Sequence, residues 1–167
     1  FNTLPDGDMG LRSPEGPIAD EINPTALSDG SLFVTYRTIG RSPGHAYSRD
    51  RGKTWTPAAF MTARPGGERI WHPRAANFAR QLSDGRFVYW FHHHAGNDYH
   101  GRNPAVLLGG EERNSPDGKV IHWGRPQVVL FDRDRDTRIS YPDFIEDDGK
   151  LFITETQKTI ARVHEVD

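Results

Sequence analysis

Three stretches of the chain repeat one alternation of apolar and polar positions around a tight turn. The first is Leu27-Ser28-Asp29-Gly30-Ser31-Leu32-Phe33-Val34-Thr35-Tyr36. Leu82-Ser83-Asp84-Gly85-Arg86-Phe87-Val88-Tyr89-Trp90-Phe91 is the second, and Glu146-Asp147-Asp148-Gly149-Lys150-Leu151-Phe152-Ile153-Thr154-Glu155 the third. Each predicts a strand, an Asp-Gly turn and a second strand, because the aspartate can bond turn amides and glycine accepts positive φ. The Asp-Gly pairs lie 55 residues (29 to 84) and 64 residues (84 to 148) apart. A further alternating run, His45-Ala46-Tyr47-Ser48, leads into the polar stretch Arg49 to Trp55, a predicted hairpin turn. Asp117-Gly118-Lys119-Val120-Ile121-His122-Trp123 has acid, glycine and tryptophan at a shifted spacing, with Gly110 to Pro116 before it as a looser hairpin insertion. Ile160 to His164 is the last predicted strand, and Phe1 to Ala19, rich in Pro, Gly and Asp, predicts irregular loop.

A β-unit recurring every ~40–50 residues, lengthened by insertions, reads as propeller blades. The expected fold is therefore all-β, with approximate blades at 20–60, 71–131 and 138–167 of one partial β-propeller domain, 1–167. Closed propellers typically have about four to eight blades, so three imply a fragment, or blades lying outside this chain. The 17 glycines and 12 prolines suit short strands and many turns. A formal net charge of −2 argues against a nucleic-acid or polyanion partner by bulk charge. There is no cysteine, so disulfides play no part. No apolar run approaches the roughly 20 residues of a membrane span, and Phe1 to Pro5 has neither a basic nor an apolar leader region.

Ser48, Asp50, Gly52, Thr54 and Trp55 stand at the offsets of the Asp-box, or BNR repeat, and the chain resembles the sialidase-like β-propellers that carry it. The box is a folding device, so it speaks for fold far more than for function. The resemblance extends over most of Glu21 to Asp167. It implies the C-terminal half of a six-bladed propeller, with a glutamate before one hairpin, arginines on that blade and the next, and a tyrosine opening the following blade. The matching positions are Glu21, Arg37 with Arg41 or His45 near the next expected place, Arg102, and Tyr141 in Ile139-Ser140-Tyr141-Pro142-Asp143-Phe144. The arginine of the family's R-I-P motif and its catalytic aspartate are not present, so this chain alone is expected to be inactive. The resemblance also implies a secreted or periplasmic protein without a cofactor.

What the resemblance implies chemically is coherent. A sialic acid bears a carboxylate beside its anomeric carbon, which arginines bind bidentately without ever losing their charge. A carboxylate nucleophile would be repelled there, whereas a neutral tyrosine is not, and sialidases depart from the two-carboxylate scheme in this way. A phenol with a pKa near ~10 needs a base at hand. Tyr141 is then the expected nucleophile, Glu21 its base, and Arg37 and Arg102 the carboxylate binders, with Arg41 a weaker candidate. The glutamate and the phenol are expected within hydrogen-bond reach, directly or through one water. The plainer readings are a strand-end aromatic for Tyr141, a loop cation for Arg102 or Arg41, and a solvated acid beside Asp20 for Glu21. Arg37 ends a strong strand and, facing inward, requires a partner.

His92-His93-His94 is not expected to bind a metal, because strand neighbours point to opposite faces and at most His92 and His94 share one. A glycan contact by His92, with Asn97, Asp98 and Tyr99 in the following loop, is the preferred reading. His72 in Trp71-His72-Pro73-Arg74 opens the second blade where Tyr141 opens the third, which makes His72 and Arg74 further pocket candidates. Arg133 to Asp136 alternates in charge and reads as a solvated loop. The leading expectation is a glycoside hydrolase acting on a sialoside or related acidic saccharide. A polysaccharide lyase or other glycosidase using His72, His92 and Tyr141 as acid and base is the second expectation, and a non-catalytic glycan-binding propeller the third.

Overall fold

The computed structural model describes residues 10–96, 101–157 and 160–166. Three antiparallel sheets follow one another along the chain. In the first, β1 (Asp20–Ala26), β2 (Leu32–Arg37), β3 (Gly44–Ser48) and β4 (Ala59–Phe60) pair in sequence order. In the second, β5 (Phe78–Gln81), β6 (Phe87–Phe91), β7 (Ala105–Ser115) and β8 (Gly118–Trp123) do the same, and β9 (Gln127–Leu130) pairs with β7. β10 (Ser140–Asp147), β11 (Lys150–Gln157) and β12 (Ile160–Val166) make the third. The described residues contain no helix. No helix long and apolar enough to cross a membrane is found among them.

Each Asp-Gly turn joins the first two strands of a sheet. Gly30 and Gly85 adopt φ of 82° and 84°, while Asp29 Oδ1 accepts from Ser31 N and Asp84 Oδ1 from Arg86 N, each at 2.9 Å. These bonds add to the backbone pairs that close the turns, Leu27 N to Ser31 O at 2.9 Å and Leu82 N to Arg86 O at 2.7 Å. The third turn is tighter, with Asp148 and Gly149 both at positive φ, 47° and 74°, as a two-residue hairpin demands.

The second sheet is buried on both faces, and the period of two along its strands shows how. Phe87, Tyr89 and Phe91 of β6 pack with Phe33, Leu108 and Trp123 in a core shared with the first sheet. Val88 and Trp90, the intervening residues, pack with Leu107, Ile139, Phe144 and Ile153 in a core shared with the third. Five consecutive buried residues therefore serve two interfaces, each large side chain contributing about 1.5–3 kcal/mol by burial. One polar clamp recurs at the turn tips. Glu112 accepts from Ser28 N (2.7 Å) and from its hydroxyl, and Glu146 likewise accepts from Ser83 N (3.0 Å) and Oγ (2.9 Å).

The Ser48–Trp55 stretch is a side-chain-bonded turn. Asp50 accepts from Thr54 N at 2.8 Å and Thr54 Oγ1 at 2.6 Å, Ser48 Oγ accepts from Gly52 N at 2.7 Å, and Trp55 Nε1 donates to Gly52 O at 3.0 Å. Gly52 has φ 92°. The stretch around Asp117-Gly118 differs from its expected reading. Gly110 to Ser115 is not a loose insertion: it pairs regularly with β8, from Gly110↔Trp123 to Ser115↔Gly118, leaving Pro116 and Asp117 as the tip. Trp123 stands five residues beyond Gly118, where Trp55 stands three beyond Gly52, and its ring does not fold back under this turn. Trp123 instead packs into the core at 5.4 Å from Tyr89 and 6.1 Å from Phe33.

The first strands of the three sheets converge on one groove of about 590 Å³, lined by Asn23, Thr25, Phe78, Arg80, Pro142 and Asp143 among others. Thr25 Oγ1 donates to Ala79 O at 2.8 Å, and Ala79 N to Asn23 Oδ1 at 2.8 Å, tying β1 to β5. Arg80 donates to Phe144 O and so ties β5 to β10. Glu21 and Tyr141 stand at the same end of this groove, on the opening residues of β1 and β10.

Candidate functional site

Two β-bulges build the site. The ladder of β1 with β2 slips between Asp20 and Asn23, and that of β10 with β11 between Ser140 and Asp143. Within each slip one non-glycine residue takes positive φ: Glu21 at 54° and Tyr141 at 50°. Such a conformation costs on the order of 1–3 kcal/mol and persists only where its surroundings hold it. The bulges redirect the side chains. On a regular strand Asp20 and Glu21 would face opposite ways, yet both reach Arg37 here.

Arg37 Nη2 lies 2.8 Å from Asp20 Oδ2, and Arg37 Nη1 lies 2.9 Å from Glu21 Oε1. The Tyr141 hydroxyl donates to the same Glu21 Oε1 at 3.2 Å, across 120 residues of sequence. Arg102 is buried, donates from Nη1 to Ser140 Oγ at 3.0 Å, and has its guanidinium carbon 5.9 Å from the Tyr141 ring centre. The four side chains anticipated from sequence, Glu21, Arg37, Arg102 and Tyr141, thus form one cluster. Its electrostatics are specific. Desolvation works against the Arg37 charge, but the Asp20 hydrogen bond and the Glu21 and Asp20 charges outweigh it and hold its pKa above the ordinary value. Tyr141 as a residue remains 48% exposed.

The loop carrying Arg102 is fixed by its neighbour. Asn103 Nδ2 donates to Asp132 O (2.7 Å) and Asp134 O (3.0 Å), its Oδ1 accepts from Asp132 N (3.1 Å), and Ile139 N donates to Arg102 O (3.1 Å). Residues 132–136 are thereby a structured connection leading Ser140 and Tyr141 to Arg102. Asp20, Ser140 and Asn103 were not anticipated as parts of the site. Their only sequence signal is adjacency to Glu21, Tyr141 and Arg102, since the bulges that bring them into use leave no mark in residue type.

The other candidates lie elsewhere. His72 does not open a pocket: it is 1% exposed and precedes β5 by six residues, whereas Tyr141 lies within β10. Its Nδ1 accepts from His92 N at 3.0 Å and its Nε2 donates to Ala75 O at 2.8 Å, so both ring nitrogens are engaged. Burial, reinforced by the neighbouring His92, pushes the His72 imidazole down to about 3. His92, expected to contact a glycan, is equally buried and stacks on His72 with centroids 5.8 Å apart. It donates from Nδ1 to Pro104 O at 2.9 Å, and burial pushes it to about 4. The alternation along β6 turns this position into the protein interior as Phe91 gives way to the loop.

His45 faces the interface of the first two sheets, donating from Nδ1 to Ala59 O at 3.1 Å and lying 6.0 Å from Phe33, with burial pushing it to about 4. Arg41 is exposed in the β2–β3 loop with φ 61°, and its carbonyl accepts from His72 N at 3.0 Å. Arg74 is half-buried between Pro73 and Ala75 in the connection to β5. Asn97, Asp98 and Tyr99 lie outside the described residues. Among the described residues no group of three or more His, Cys, Asp or Glu side chains is gathered for a metal ion.

No protein-family model and no curated protein matches the chain. Solved structures do. A leech intramolecular trans-sialidase complexed with 2,7-anhydro-Neu5Ac superposes with a TM-score of 0.68 at 17% identity, over 89% of this chain and 23% of that one. The intramolecular trans-sialidase from Ruminococcus gnavus, in complex with oseltamivir carboxylate, superposes with a TM-score of 0.63 at 18% identity, over 88% and 30%. The α-L-arabinofuranosidase from Fusarium graminearum, in complex with an iminosugar inhibitor, gives 0.54 at 15% identity, over 99% and 49%. The fold is that of a sialidase-like β-propeller, of which the three sheets are blades. The chain spans less than a third of the length of either trans-sialidase.

Proposed function

We propose that this chain contributes the nucleophile, its base and two carboxylate-binding arginines to the active site of a glycoside hydrolase that cleaves a terminal acidic sugar, a sialoside being the best-fitting substrate. The observation that carries the reading is the 3.2 Å hydrogen bond from the Tyr141 hydroxyl to Glu21 Oε1, with Arg37 and Arg102 beside it. As a glycosidic bond breaks, the Tyr141 oxygen forms a bond to the anomeric carbon and its proton passes to Glu21. The departing oxygen takes a proton from a separate acid. Water then attacks the anomeric carbon, giving one proton to the conjugate base of that separate acid, and the tyrosyl–sugar bond breaks as Glu21 returns its proton to the phenol oxygen.

Arg37 serves two ends in this scheme. It orients Glu21 through Nη1, and it contributes with Arg102 the positive field that holds a substrate carboxylate. A lyase centred on His72 and His92 has less support, because both rings are buried and held in fixed hydrogen bonds. The test is release of free sialic acid from α2,3- and α2,6-linked sialosides by the protein at its natural length, with Tyr141→Phe alongside. Turnover by the wild type and a loss of about a hundredfold or more in the variant is expected. No release from any sialoside overturns the reading.

A further inference from the structure

The two arginines of the site have their charges met unequally. Arg37 donates from Nη2 to Asp20 Oδ2 at 2.8 Å and pairs through Nη1 with Glu21 Oε1 at 2.9 Å. One cation thus stands between two acids, and the trio is formally negative. Arg102 differs. It is buried, its Nη1 donates to the neutral Ser140 Oγ at 3.0 Å, and among the described residues no carboxylate lies within ion-pair distance of it. A desolvated cation without an acid gains more from an incoming anion than one already paired.

The two acids on Arg37 are not equivalent either. Glu21 also accepts from the Tyr141 hydroxyl at 3.2 Å, and it reaches the guanidinium only through the bulge in which it takes φ 54°. Asp20 needs no bulge. It is the ladder partner of Arg37, directly across β1 and β2, so the two side chains share one face. Its carboxylate bonds to Arg37 alone among the described residues, and its side chain is 38% exposed against 25% for Glu21. The proton transfer between Tyr141 and Glu21 makes no use of it. An exposed carboxylate held by a single ion pair turns toward solvent at little cost.

We propose that Asp20 is a specificity-determining residue: its carboxylate competes with that of the substrate for Arg37 Nη2, and so weakens the binding of acidic sugars relative to neutral ones. The inference rests on the reading of Arg37, Arg102 and Tyr141 above. An acidic sugar is anchored by Arg102 and gains Arg37 only as Asp20 turns aside, because two like charges on one guanidinium nitrogen repel. A sugar without the charge meets no such contest, and selectivity is the difference between the two.

The test uses the protein at its natural length and calorimetric binding of a 2,3-unsaturated sialic acid and of its methyl ester, which lacks the charge. Asp20→Asn keeps the size of the side chain and removes its charge, whereas Asp20→Glu keeps the charge. For Asp20→Asn the Kd of the acid falls about three- to tenfold, and that of the ester changes less than about twofold. Asp20→Glu leaves both within about twofold of wild type. An acid bound no more tightly by Asp20→Asn, an equal gain for the ester, or the same gain in Asp20→Glu overturns the proposal. If neither the wild type nor Asp20→Asn binds the acid, the sialoside reading fails. An acetate titration of both proteins, followed at the Arg37 Nε–H resonance, then decides Asp20: tighter acetate binding by Asp20→Asn supports the competition, and equal or weaker binding overturns it.

Discussion

The stacked pair His72 and His92 makes stability depend on pH in a way that can be worked through. An exposed imidazole titrates near 6.5, whereas burial pushes His72 down to about 3 and His92 to about 4. Unfolding restores both to the ordinary value, so below it the unfolded chain binds protons that the folded chain refuses. With both folded values depressed, the stability is fully present above pH 6.5 and is lost progressively as pH falls toward 4 and then 3. Between pH 7 and pH 5 each histidine accounts for a loss of about 2 kcal/mol, and the pair for about 4. That is a large share of a typical margin of about 5–15 kcal/mol. The perturbation is His72→Asn, compared with wild type by urea unfolding at the two pH values, read by tryptophan fluorescence. The variant should be less stable at pH 7, because Asn cannot reproduce both ring hydrogen bonds. Its further loss on moving to pH 5 should be smaller than the wild type's by about 2 kcal/mol. An equal loss in both proteins would falsify the reasoning, as would an NMR titration midpoint for the His72 ring near its ordinary value.

Two further substitutions probe the scaffold and the site. In Gly44→Ala the new Cβ would stand 2.1 Å from the Tyr36 ring, which is pinned by its hydroxyl to Arg12 O at 2.8 Å. A loss of about 2–3 kcal/mol in urea unfolding is expected, and a loss below about 0.5 would show that the ring moves aside freely. Arg37→Met leaves Asp20 and Glu21 as adjacent acids without their counter-charge. Since those carboxylates are 38% and 25% exposed, solvent screening brings the expected destabilisation to about 2 kcal/mol rather than the larger cost of a fully buried pair. Sialoside kcat/KM should fall about a hundredfold in the same variant, and unchanged turnover would remove Arg37 from the site.

The two histidines show where residue-level reading stops. A His at the start of a blade and a His after a strand look alike as pocket residues or as core residues, because the type fits both. What separates them is hydrogen-bond closure: His72 has one ring nitrogen on the His92 amide and the other on Ala75 O, a matter of how the loop before β5 lies on the end of β6. The stretch around Asp117 has a similar lesson. Acid, glycine and tryptophan are all there, but a ring five residues beyond its glycine reaches the interface between sheets more readily than its own turn. By contrast, the Ser48–Trp55 turn was legible as a turn, since every bonding partner lies within seven residues of every other.

Local chemistry sufficient to read from sequence alone covers the three Asp-Gly hairpins, the side-chain-bonded turn after β3 and the all-β class. Each of these depends on turn residues and a two-residue period, which act over a few positions. The set Glu21, Arg37, Arg102 and Tyr141 was legible only through the resemblance to sialidase-like propellers. Tertiary structure alone decided that Asp20 joins the arginine and that β6 is buried on both faces. The physical reason is that these follow from docking one sheet against the next and from bulges at positive φ in residues that ordinarily avoid it. Neither the packing of remote strands nor a strain held in place by that packing is written in the type of any single residue.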